Sequence, residues 1–196
     1  PKSRAIELLE FLGSPVTAVL RDDRDGALYA ALELGHFGVK LHRSDDDGAS
    51  WAEIPAPSFA AEGEALDAVD GDGEPSGPSV ESIWTLDTAG ADRPGELWCG
   101  TVPGAIFHSR DRGESWQLNE PFWNLPGRDT WIGPPPYEKP TINTILVDPR
   151  NSDDLVVGTT FGIRKSIDGG KSWTVGGEGM YMEAFPPEVA RKPENQ

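Results

Sequence analysis

The chain has one cysteine, Cys99, and two methionines in 196 residues. A single thiol excludes an internal disulfide and leans toward a cytoplasmic setting. No apolar run approaches the ~20 residues of a membrane-spanning helix. The opening Pro1-Lys2-Ser3-Arg4 does not have the layout of a signal peptide. It also lacks a methionine, so further residues are expected ahead of Pro1. Basic residues are scarce too: Lys and Arg number 17 against 33 Asp and Glu, for a net charge of -16. From Ser44 to Asp92 there is no Lys or Arg at all, while thirteen acidic residues crowd the same stretch. Such a surface repels phosphate backbones and argues against nucleic acid as a partner. The plain reading of the acidic run is a solvated surface loop. With 26% charged residues and a mass of 21.2 kDa, the chain reads as one soluble domain with a real core.

What the chain does have is a repeated eight-residue pattern, S-x-D-x-G-x-S-W. It occurs at Ser44, Asp46, Gly48, Ser50, Trp51; at Ser109, Asp111, Gly113, Ser115, Trp116; and at Ser166, Asp168, Gly170, Ser172, Trp173. Five fixed positions in three copies do not arise by chance. The residue types explain themselves. An Asp at the third position accepts hydrogen bonds from backbone N–H groups and closes a turn. Gly two residues on supplies a positive φ without a Cβ clash. The Ser before Trp bonds back across the turn, and Trp opens the next strand with a large ring to bury. Each copy therefore reads as a tight hairpin turn with an anchor, and its carboxylate as structural.

This pattern resembles the Asp-box, or BNR repeat. Over roughly residues 14–175 the chain is similar to the Asp-box β-propellers. That superfamily includes sialidases, xyloglucan-degrading glycoside hydrolases, sortilin-type receptors, a photosystem II assembly factor and many uncharacterised glycosyl-hydrolase-like proteins. The resemblance implies an all-β fold of four-stranded blades. It says less about activity, because the same box serves enzymes, receptors and assembly factors.

The segments between boxes fit that expectation. Residues 5–12 read as a short helix or a strand, and their place before the first repeat favours a strand that completes the last blade. Blade one is expected over about 14–56, an acidic loop over 57–79 and blade two over about 80–120. An aromatic, proline-rich insertion follows over 121–140, then blade three over about 141–176 and a tail over 177–196. Each blade alternates apolar and polar residues in four short runs. The boxes start 65 residues apart (44 to 109) and then 57 apart (109 to 166), the period of a blade carrying loops. Three blades leave strand edges open, and propellers of this kind need about six to eight. The expected partner is therefore the remaining propeller half. One route is a truncated, cleaved or split chain; the other is a dimer of three-bladed halves.

Strand direction sorts the loops. Turns after strands one and three share one face, including the boxes. Turns after strand two and the crossovers between blades share the other, and that face collects the long insertions. In the acidic loop Asp70, Asp72, Glu74 and Glu81 match positions 1, 3, 5 and 12 of a calcium-loop template. Pro75 stands where the template needs Gly, so no metal and no cofactor are assigned. The second insertion carries Phe122, Trp123, Trp131 and Tyr137 beside Arg128, Asp129, Glu138 and Lys139. Aromatic faces with carboxylates suit a carbohydrate or another small ligand; the plain alternative is that the rings pack the loop onto the blades. The candidate ligand-binding residues are His36, Trp123, Arg128, Trp131 and Tyr137, with Arg128 gripping an anionic group. Glycosidases place two carboxylates ~5–10 Å apart. Asp129 and Glu138 are the candidate acid and base, and Glu183 is a further carboxylate. An Arg-Ile-Pro near the start, which a sialidase resemblance would call for, is absent. His42 and His108 precede boxes and have no evident role. The functional reading is a glycosyl-hydrolase-like (sialidase-like) propeller that binds a carbohydrate or other small ligand on its loop-rich face, with hydrolysis as its expected chemistry; the alternative is a non-catalytic scaffold for ligand or protein binding.

Overall fold

The alternation of apolar and polar residues becomes strand wherever it occurs in a computed structural model describing residues 10–59, 78–131, 133 and 138–176. Twelve strands form. They are β1 (Val16–Arg21), β2 (Leu28–Glu33), β3 (Val39–Ser44), β4 (Ala52–Ile54), β5 (Ser82–Thr88) and β6 (Leu97–Val102), followed by β7 (Ile106–Ser109), β8 (Gln117–Leu118), β9 (Ile142–Asp148), β10 (Asn151–Thr159), β11 (Gly162–Ser166) and β12 (Thr174–Val175). They build three four-stranded antiparallel meanders, each in sequence order. The first strands lie together, β1 against β5 and β5 against β9, so the three sheets fan out as blades from a common inner edge. Among the described residues no helix is long and apolar enough to cross a membrane.

Each box closes the turn between a blade's third and fourth strands. In the middle blade the Ser109 hydroxyl donates to Asp111 Oδ1 at 2.8 Å and accepts from Gly113 N at 2.8 Å. Asp111 also accepts from Ser115 N at 2.9 Å and Ser115 Oγ at 2.6 Å. The same four bonds recur around Asp46 and around Asp168. Gly48, Gly113 and Gly170 have φ of 86°, 85° and 81°. The preceding position is left-handed as well, at Asp47, Arg112 and Gly169. Two of those three carry side chains, at a local cost that the turn's bonds must offset.

The core sits between blades. Tyr29 and Leu41 of blade one meet Leu86, Leu97, Cys99 and Phe107 of blade two. On its other side blade two presents Trp98 and Ile106 to Ile142, Ile145, Leu155 and Val157 of blade three. Thus β6 is buried along its whole length because its two faces serve two joints. Each large side chain buried there contributes about 1.5–3 kcal/mol. Gly100 marks a close approach of blades two and three: a Cβ there would lie 2.5 Å from Ile142 Cγ2.

The leading segment differs from the expected strand. Residues 5–9 lie outside the described residues, and 10–12 have no strand conformation. Phe11 instead takes φ 57° and sets its ring 5.0 Å from that of His42 and 5.2 Å from that of Trp51. Its apolar side chain is used to cover blade one rather than to extend a sheet. The calcium-template residues Asp70, Asp72 and Glu74 lie outside the described residues, and so do Tyr137 and the tail with Glu183. Glu81 is described, and it pairs with Lys139.

Candidate functional site

The aromatic insertion begins with a cap. Asn119 stands directly after β8, followed by Glu120 and Pro121, a combination that starts a helix. One turn forms, Glu120–Trp123, with Asn119 Oδ1 accepting from Phe122 N. The same oxygen accepts from Trp173 Nε1 at 3.1 Å, and Asn119 Nδ2 donates to Gly170 O at 3.0 Å. The base of the insertion is thereby fastened to the third box. Phe122 is fully buried, edge-on to Trp173 at 5.2 Å and to Trp131 at 5.9 Å.

Gly127, in the left-handed region at φ 78°, turns the chain into a 3-10 turn over Arg128–Thr130. That turn lays the Arg128 guanidinium on Trp123, 3.4 Å from the ring centroid. Arg128 Nη2 donates to Gly104 O in the β6–β7 turn at 2.8 Å. Burial pushes the guanidinium pKa down to about 10. Arg128 Nε is buried and lacks a hydrogen-bond partner among the described residues, at the cost of a desolvated donor. Trp131 is 7% exposed and stacks on Phe161 of the β10–β11 turn, with centroids 6.0 Å apart. Arg164 lies over the same indole at 5.3 Å. The insertion thus reaches the face built by the turns after second strands, touching Gly104 in blade two and Phe161 in blade three.

The remaining candidates take different places. Trp123 is half-buried, and Asp129 and Glu138 are exposed. Glu138 holds φ 53°, and its neighbour Lys139 pairs with Glu81 at the start of blade two. His36 is exposed in the β2–β3 turn, beside a Phe37 that is 82% exposed. It belongs to blade one, whereas Phe122 and Trp131 of the insertion pack between blades two and three, and Trp123 packs on Phe59 beside the joint of blades one and two. No cluster of metal-ligating side chains occurs among the described residues. His108 stacks on Trp98, with centroids 4.1 Å apart. Its Nε2 is 3.0 Å from Glu96 Oε1 but off the hydrogen-bond direction. Sequence reasoning passed over Asn119, Gly104, Phe161 and Arg164. The Asn-Glu-Pro start was readable as a cap; the other three meet the insertion only through the tertiary fold.

No known protein family and no curated protein matches the chain. Solved structures do. A GH74 enzyme from Niastella koreensis is 21% identical with a TM-score of 0.55, over 82% of this chain and 22% of that one. An ancestral GH74 enzyme is 16% identical with a TM-score of 0.53, over 83% and 18%. The GH74 xyloglucanase from Xanthomonas campestris is 16% identical with a TM-score of 0.51, over 82% and 23%. The fold is that of a partial β-propeller. The chain spans about a fifth of the length of these structures.

Proposed function

We propose that this chain is an Asp-box propeller that binds carbohydrate on the face where the insertion meets the β6–β7 turn. Arg128 and Trp123 carry the recognition. The observation behind this reading is the Arg128 guanidinium: partly desolvated, stacked on Trp123, and holding a buried Nε donor with no partner among the described residues. A half-buried indole carrying a guanidinium suits a sugar ring bearing an acceptor oxygen. The repeated bond pattern of the three turns supports Asp-box membership. The GH74 likeness in fold supports a glycosyl-hydrolase-like propeller. In this reading Asp129 and Glu138 are the acid and base of any hydrolysis.

A second reading, a non-catalytic scaffold, draws on Trp131 and Phe122. Both are buried in the joint between blades two and three, where they pack rather than present a surface. Calorimetric titration with neutral and acidic β-glucan oligosaccharides separates the two. Trp123→Ala and Arg128→Ala should each weaken binding at least about tenfold, or about 1.4 kcal/mol, and Arg128→Lys should recover part of it. Absence of binding by the parent chain would leave the scaffold. Turnover lost in Asp129→Asn and Glu138→Gln, with binding kept, would establish the hydrolase.

A further inference from the structure

The inner strand of each of the three blades carries one residue too many. Val16 pairs with Leu32 and Ala18 with Ala31; Ile83 with Thr101 and Thr85 with Gly100; Ile142 with Thr159 and Thr144 with Gly158. The extra residues are Thr17, Trp84 and Asn143, at one register position in three blades. Such a bulge leaves its residue outside the ladder and re-aims its side chain. The cores show the shift. Ile83 and Leu86 are three residues apart yet share one core cluster, and Ile142 and Ile145 share the other. Regular alternation would put each pair on opposite faces. The inserted residue corrects the parity and itself stands outside the run of buried positions.

Trp84 shows the result. It is 38% exposed, in a strand whose Ile83 and Leu86 are buried. Asn143 and Thr144 of β9 are exposed as well. Thr141 Oγ1 donates to Asn143 Oδ1 at 2.6 Å, which holds the amide. The two inner strands meet at this level: a Cβ on Gly100 would lie 2.5 Å from Ile142 Cγ2 and 2.7 Å from Thr85 Cγ2. Trp84 and Asn143 flank that contact. Each lies near the start of its strand, where the crossovers arrive, so both stand on the loop-rich face.

The insertion reaches the same place from the outer side. Arg128 holds the carbonyl of Gly104, two residues beyond Val102, and Val102 pairs with Ser82 at the head of β5. Glu81 N donates to Val102 O at 2.7 Å, and the Glu81 carboxylate pairs with Lys139 at the insertion's far end. The β6–β7 turn thus separates two aromatic surfaces, Trp123 beyond β8 and Trp84 on β5. Neighbouring strands about 4.8 Å apart put β5 and β8 roughly 14 Å apart, the span of several sugar rings.

Resting on the carbohydrate reading above, we propose that the bulges of β5 and β9 form a second sugar station. Trp84 is its stacking platform, and Asn143 and Thr144 bind hydroxyls at the edge of the ring. One oligosaccharide runs from Trp123 and Arg128, over the β6–β7 turn, to the inner edge of the fan. The inner station offers an indole, an amide and a hydroxyl, and the nearby Lys139 is already paired with Glu81. It therefore takes uncharged rings.

Calorimetric titration of the chain with a neutral β-glucan ladder, from disaccharide to hexasaccharide, tests this. The parent should bind the hexasaccharide at least about tenfold more tightly than the disaccharide. Trp84→Ala should lose most of that gain and keep disaccharide binding at the outer station. Trp84→Phe retains an aromatic face and should recover part of the gain, and Asn143→Ala should reduce it. Both side chains are exposed, so the variants should keep the parent's circular dichroism. A parent whose affinity does not rise with chain length overturns the second station and leaves the first. A gain undiminished in Trp84→Ala does the same; should that variant not fold, Asn143→Ala decides in its place. A parent that binds no member of the ladder removes both stations together.

Discussion

At the scale of single residues, the box carboxylates do local work. Asp111 accepts from two serines and a backbone amide, and its ring of bonds sets the direction in which Trp116 leaves the turn. Burial works against the ionised form, but these hydrogen bonds outweigh it and hold the carboxyl below its ordinary value. The third box follows suit: bonds from Ser172 and Ser166 bring Asp168 to about 2. The boxes therefore stay ionised through the whole neutral and mildly acid range. Asp111→Ala should cost about 1–2 kcal/mol through lost turn bonds, a fall in melting temperature of about 2–8 °C for a domain this size. Oligosaccharide affinity per folded molecule should stay constant. An unchanged melting curve would contradict a structural role for the turn.

At the scale of elements, the β6–β7 pair is where polarity is forced into the core. Trp98 and His108 face each other across that pair, and the imidazole stacks on the indole. Burial drives the His108 pKa below its ordinary value, although Glu96 pulls the other way. The folded imidazole is thus neutral, and unfolding lets it take up a proton. The resulting stability is fully present above the unfolded value of about 6.5 and is lost as pH falls below it toward the folded value. His42 is depressed by burial in the same sense. His108→Gln removes one of these titrations, so its melting temperature should decline less between neutral and mildly acid pH than the parent's. Parallel declines would show that His108 stays neutral in both states or titrates in both alike.

At the scale of the whole molecule, stability lies between blades rather than within them. Arg24 ties blade one to blade two, and its partner Asp22 is wholly buried. Burial alone would raise the Asp22 carboxyl; the hydrogen bonds and charge of Arg24 outweigh it and keep it low. Arg24→Ala leaves that carboxylate buried and unpaired, which should cost about 3–5 kcal/mol. Thermal unfolding should register it as the largest loss among the single variants considered, and a shift no larger than that of Asp111→Ala would show that water replaces the arginine.

The sequence by itself determined the repeating unit. Asp, Gly and Trp at fixed spacing specify a turn through contacts within eight residues, so no other part of the chain is needed to read it. Alternation then supplies the strands, because period two is a property of neighbouring residues. The tertiary structure decided what each side chain faces. Leu97 and Trp98 are adjacent and equally apolar, yet they serve different joints, since successive residues of a strand point to opposite faces. Trp123 and Trp131 look alike in the insertion; docking against Gly104 and Phe161 leaves the first half-open and buries the second. Arg24 and Arg150 sit in near-identical turns, and only the presence of a blade beyond the first turns one of them into a latch. Such differences arise from residues far apart in the chain, and no local pattern encodes them.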